Sequence, residues 1–178
     1  MMADAVVINK IDTADPKNVD TVRRNIQNVN SNAVVIEGAS PITVENSSLI
    51  ENKKVLVVED GPTLTHGGMK IGAGMVAAEK FGAADVVDPR PYLVGKLKET
   101  FDQYPGIGTL LPAMGYGKEQ IKDLETTINN TECDVVIIGT PIDLRRIIDI
   151  NKPSVRVTYD LQETGSPTIT DILAPYIE

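Results

Sequence analysis

Val55-Leu56-Val57-Val58-Glu59-Asp60-Gly61-Pro62 decides how the fold reads. Four consecutive apolar residues with no alternation suit a strand buried on both faces, as in a parallel sheet covered by helices. The strand then empties into a polar, glycine-bearing loop. Asp134-Val135-Val136-Ile137-Ile138 repeats the pattern and closes in Gly139-Thr140-Pro141. Shorter apolar runs at Ala5–Ile8, Ala33–Ile36, Asp85–Val87, Gly108–Leu111 and Val155–Thr158 supply further strands. Between them lie stretches with helical spacing, near 16–29, 72–81, 94–103, 118–129, from Pro141 onward, and near 169–176. About seven strands separated by helices predict an α/β fold. The expectation is one mostly parallel, continuous sheet with helices on both faces, Rossmann-like and three-layered, in a single domain over 1–178.

The chain has 178 residues, 42% of them hydrophobic, enough for a well-buried core. A net charge of −8 argues against nucleic acid or an anionic membrane surface as partner. A phosphorylated ligand must therefore find local donors or Mg²⁺. Cys133 is the single cysteine, so an internal disulfide is excluded and a reducing compartment fits. No apolar run reaches membrane-spanning length, and a cytoplasmic location is expected.

The first strand delivers Asn9-Lys10-Ile11-Asp12 to its carboxyl end. Asn-Lys-x-Asp is the guanine-reading element of GTP-binding proteins. Asp12 would offer two carboxylate oxygens to the N1–H and N2–H donors of guanine, a fork-to-fork pair of charge-assisted bonds. The Lys10 stem would lie over the base, and Asn9 would brace the loop. One helix later, Glu37-Gly38-Ala39-Ser40 closes the next strand, and the Ala39 backbone N–H would meet guanine O6. The plainer reading makes Asp12 a cap of the following helix. In a GTP-binding domain this element comes late, whereas Gly-x-x-x-x-Gly-Lys-Ser/Thr occurs nowhere in the chain. The chain therefore reads as the C-terminal part of a larger nucleotide-binding protein, with an N-terminal phosphate-loop portion as its partner. Within that single domain, residues 1–45 are then the remnant of the G domain and 53–178 a family-specific α/β region. The polar run 46–52 could be a linker between them, but a remnant of two strands could hardly stand alone, so one continuous sheet is expected.

Ligands of open α/β sheets bind beyond the carboxyl ends of the strands. Glu59 and Asp60 leave their strand as adjacent carboxylates, able to hold Mg²⁺ through waters or simply to cap a helix or line a turn. His66, the only histidine, sits beside Gly67-Gly68, either as a phosphate donor or general acid/base, or in a structural role. Arg90 stands between two prolines, its guanidinium suited to phosphate or carboxylate, or to an internal salt bridge. Thr140-Pro141-Ile142-Asp143 reads as a capped helix start, and Arg145-Arg146 as a solvated face. Gly115-Tyr116-Gly117 fits an anion site.

The string Val57-Val58-Glu59-Asp60-Gly61-Pro62-Thr63-Leu64-Thr65-His66-Gly67-Gly68-Met69, then Gly72-Ala73-Gly74, resembles the cyclic 2,3-diphosphoglycerate synthetases and their relatives regarded as GTPases. Leu111–Tyr116 and Gly139–Leu144 fit the same pattern, so the resemblance spans the chain. It implies ATP-dependent closure of a phosphoanhydride within 2,3-bisphosphoglycerate, with Mg²⁺ and phosphoryl-transfer chemistry. On that reading Asn9, Lys10, Asp12 and Ala39 bind the base of ATP or GTP. Glu59 and Asp60 hold the metal, and His66 and Arg90 are catalytic. A homo-oligomer is a further expectation. The fragment alone should be inactive. Two rival readings are a GTP-binding switch with no small-molecule product, and a stand-alone ligand-binding module.

Overall fold

In the structure, a computed structural model describing residues 3–61 and 72–177, the elements run in chain order as follows. β1 (Ala5–Asn9), α1 (Pro16–Val29), β2 (Val34–Ala39), β3 (Ile42–Val44) and β4 (Lys54–Asp60) come first. Then follow α2 (Ala73–Lys80), β5 (Asp85–Val86), α3 (Lys96–Gln103), β6 (Leu111–Ala113) and α4 (Lys118–Asn130). The chain continues through β7 (Val135–Ile138), β8 (Ser154–Tyr159), β9 (Gln162–Glu163) and α5 (Ile169–Leu173). These divide into two compact units, Met1–Pro41 with Tyr159–Glu178, and Ile42–Thr158.

The first unit carries a three-stranded sheet ordered β1-β2-β9. β1 and β2 pair in parallel, Ala5 opposite Val34 through Asn9 opposite Gly38. β9 joins antiparallel, Gly38 opposite Glu163 and Ala39 opposite Gln162. α1 begins as its sequence dictates: the Asp15 carboxylate accepts the Lys17 N–H at 2.8 Å and Pro16 takes the first turn. Its guanidinium-bearing Arg23 pairs with Glu37 of β2.

The second unit carries a six-stranded sheet in the order β3-β8-β7-β4-β5, with β6 also paired to β4. β7 flanks β4 on one side in parallel register. β5 pairs in parallel with the start of β4 and β6 with its end, Glu59 opposite Pro112 and Asp60 opposite Ala113. Val55–Val58 and Val136–Ile138 are wholly buried, which is why these runs show no polar alternation. α2 packs on β3, β4 and β7, and α3 packs on α4.

Several expectations need correction. The strands form two sheets instead of one continuous sheet of about seven, and the β2–β9 pair is antiparallel. Glu37-Gly38-Ala39 belongs to β2 instead of a loop: Glu37 and Gly38 pair with β1, and β9 carries the strand on to Ala39. In the run 46–52, Asn46 caps a 3₁₀ turn through the Ser48 N–H at 3.1 Å, and Ile50 is fully buried, in line with the reading against a linker. The helix expected from Pro141 is only a 3₁₀ turn at Leu144–Arg146, capped by Asp143. The strand expected at Gly108–Leu111 starts later, at Leu111.

Candidate functional site

The Asn-Lys-x-Asp loop and the end of β2 meet within the first unit. Asn9 ends β1, and its Oδ1 accepts both the Lys10 N–H, at 2.7 Å, and the Ser40 hydroxyl, at 2.8 Å. The Asp12 Oδ1 accepts the Ser40 N–H at 3.1 Å. The Ile11 N–H donates to the Gly38 carbonyl at 3.2 Å. One residue, Ser40, thus ties the asparagine and the aspartate of the motif together. Lys10 sits at φ 62°, in the left-handed region that side-chain-bearing residues seldom occupy. Asn9 compensates by holding the Lys10 N–H. The Lys10 ammonium lies 5.8 Å from the centroid of the Tyr159 ring, a cation–π distance. Ala39 lies in the ladder opposite Gln162, and the next residue, Ser40, makes the bonds to Asn9 and Asp12.

The second unit gathers polar groups at the carboxyl ends of β4, β6 and β7. Glu59 is 3% exposed. Its Oε1 accepts the Met75 N–H at 2.9 Å, and the Gly74 N–H also donates to the carboxylate. α2 starts at Gly72, which has no side chain to cap it. Glu59 therefore caps α2 from the end of a strand. Small residues make this possible. A Cβ on Gly72 would lie 2.4 Å from the Glu59 carboxyl carbon, and one on Gly139 would lie 2.6 Å from Oε2. Burial raises the Glu59 pKa to about 7; the Met75 and Gly74 amides oppose the rise and the neighbouring Asp60 adds to it. Tyr116, on the loop after β6, also titrates high, through burial first and Asp60 second.

A cation such as Mg²⁺ keeps several of its waters and takes outward-facing oxygens. The Glu59 carboxylate, enclosed by glycines and bonded to helix amides, does not fit that role. Among the described residues no group of three or more His, Cys, Asp or Glu side chains is placed to hold a metal. The Thr140 hydroxyl, buried, donates to the Ile142 carbonyl at 2.6 Å and so closes the turn after β7.

Arg90 lies in a 3₁₀ turn after β5. Its guanidinium pairs with Asp88 at 2.9 Å, donates to the Ile107 carbonyl and stacks 5.1 Å from the Phe101 ring centroid. Those contacts match the internal salt-bridge reading. Arg145 is held by a two-pronged pair with Glu45, both contacts at 2.8 Å, and by Asp143. It is a tie between β3 and the turn after β7, not merely a solvated charge. His66 lies outside the described residues.

No family model matches the chain. One curated protein does. The chain is 61% identical over 171 residues to arginine synthetase ArcE of Thermococcus kodakarensis. The match takes in 96% of this chain but 38% of that relative, so the chain spans well under half the length of the protein it matches. It corresponds to one portion of a larger, synthetase-named protein. That name differs from the cyclic 2,3-diphosphoglycerate synthetase suggested by the Glu59–Met69 string.

Two contacts, one in each unit, lay beyond sequence reading. Tyr159 closes on Lys10 only because β9 pairs with β2, and a two-residue strand leaves no periodic signal. Glu59 as a helix cap was equally hidden, since the Met75 amide lies 16 residues further along the chain.

Proposed function

We propose that this chain is part of a nucleotide-dependent synthetase, in which the unit built on β1 and β2 reads a purine base. The observation that carries this reading is Ser40. Its hydroxyl and its N–H hold Asn9 and Asp12, the two polar ends of the Asn-Lys-x-Asp motif, in one cluster. A solvated turn or a simple helix cap needs no such link; α1 is capped by Asp15, which leaves Asp12 without that duty.

The relative's name supports a ligase-type biosynthetic activity and makes arginine the first candidate product. Nucleotide chemistry suits such a product. Transfer of the γ-phosphoryl group to a ureido oxygen makes that oxygen a leaving group. Ammonia then displaces it as phosphate, losing a proton, and a guanidinium results. Closure of a phosphoanhydride in 2,3-bisphosphoglycerate uses the same activation, with a phosphate oxygen as the attacking group. GTP or ATP with Mg²⁺ is the proposed cofactor, the phosphate loop being supplied by a further portion of the protein. Within the second unit, Glu59 at the end of β4 acts as a helix cap.

The test uses the full-length protein with MgGTP or MgATP. One arm receives a ureido amino acid and ammonia, the other 2,3-bisphosphoglycerate, and phosphate release and product are measured. Nucleotide turnover coupled to one acceptor is expected. Asp12→Asn should reduce discrimination for GTP over ATP by about tenfold or more, the loss of a charge-assisted pair. Turnover with neither nucleotide, or an unaltered preference in Asp12→Asn, overturns the reading.

A further inference from the structure

Asn9, Asp12 and Ser40 account for the edge of a bound base, but a purine also has two apolar faces. We propose that Tyr159 is the stacking wall of the purine pocket, its ring lying against the base whose edge Asp12 reads; this rests on the base-reading function proposed above.

The placement of Tyr159 carries the inference. It stands at the end of β8, and the strand that follows, β9, pairs with Gly38 and Ala39 immediately before Ser40. Leu161 anchors this return: its Cδ1 occupies space 2.3 Å from where a Gly38 Cβ would stand. The segment is thereby fixed against the same β2 end that holds Asn9 and Asp12. Tyr159 is 50% exposed, so its ring is not used up in a core. The ring face it presents is already within reach of the motif, with the Lys10 ammonium 5.8 Å from the centroid. Lys10 and Asp12 belong to one tight turn, closed by the Thr13 and Ala14 N–H groups on the Lys10 carbonyl at 3.2 and 3.0 Å.

Aromatic rings are scarce in this chain, 4% of residues, and an exposed one beside a base-reading loop has a direct use. Stacking on an aromatic side chain is tolerant of base identity because every base has a π face. Tyr159 and Asp12 therefore divide the work: the ring supplies affinity and the carboxylate supplies preference. The Lys10 ammonium lies over the ring, and its long stem lets it give way to the base.

This division sets the experiment. In the full-length protein, Tyr159→Leu should weaken binding of fluorescent GDP and of fluorescent ADP alike, by about tenfold, leaving the ratio between them unchanged. Tyr159→Phe should bind within about twofold of the parent, since stacking needs the ring and not the hydroxyl. Asp12→Asn should do the reverse of Tyr159→Leu, altering the ratio. Tyr159→Trp gives an independent readout as the difference from the parent's own fluorescence, since these 178 residues contribute no tryptophan. Its indole fluorescence should be quenched on adding GDP, and affinity should be retained. Unchanged affinity in Tyr159→Leu, or no quenching in Tyr159→Trp, overturns the stacking wall while an altered ratio in Asp12→Asn leaves base reading intact. Silence in Tyr159→Leu and Asp12→Asn together overturns both.

Discussion

The Glu59 carboxylate, at the end of β4, accepts the Met75 N–H at 2.9 Å and so caps a helix that begins thirteen or more residues later in the chain. It does so from a position only 3% exposed, and burial brings its pKa from 4.5 to about 7. A folded-state pKa above the unfolded one means the folded chain binds this proton more tightly. The associated stability is present in full below pH 4.5 and is lost as pH rises through about 7. The loss amounts to on the order of 3 kcal/mol. Urea unfolding across this window should show it. Glu59→Gln, which keeps an acceptor oxygen without titrating, should flatten that slope and be the more stable chain at pH 8. A variant as pH-dependent as the parent would show that another group carries the effect.

Gly139 is fixed by the same carboxylate. A Cβ there would stand 2.6 Å from Glu59 Oε2 and 2.8 Å from the Gly74 nitrogen. The second of these is backbone at the start of α2, so it cannot swing aside. Gly139→Ala should therefore cost about 1–3 kcal/mol through overpacking. Gly108→Ala is the matched control, because no atom lies within 4 Å of its Cβ position. A thermal melt should separate the two variants clearly. Equal midpoints would mean that the glycine cradle around Glu59 gives way easily.

Much of the architecture was readable because burial on both faces leaves its mark on sequence. Val55–Val58 and Val135–Ile138 have no polar alternation to confuse them, and the structure buries all eight. The start of α1 was readable for a local reason, since Asp15 and Pro16 act within their own turn. Contacts between distant segments were not readable. β9 is two residues long, yet it carries β2 on to Ala39, inside an expected loop. After β7, Asp143 caps a 3₁₀ turn and spends its carboxylate on Arg145, so the promising Thr-Pro-x-Asp signature never propagates into an α-helix. At the candidate base site, Asn9, Asp12 and Ser40 were visible as two motifs. The hydrogen bonds joining them, and the arrival of Tyr159, belong to tertiary structure alone.

Arg90 offers the sharpest separation of a structural from a phosphate-facing arginine. Its guanidinium joins Asp88 to the Ile107 carbonyl across the face of Phe101, and the Asp88 carboxylate also accepts the Arg90 N–H at 3.0 Å. One planar group thus ties the turn after β5 to α3 and to the segment preceding β6. Arg90→Ala removes all three contacts and should lower stability by about 1–2 kcal/mol, part of it from leaving the Ile107 carbonyl without its donor. Arg90→Lys should recover little, because an ammonium cannot serve two acceptors and stack flat at once. On the proposed function, nucleotide turnover by the full-length protein, per folded molecule, should stay within about twofold of the parent, since none of these contacts involves a reacting group. Turnover lost by orders of magnitude in an Arg90→Ala protein of undiminished stability would instead return the guanidinium to the phosphates.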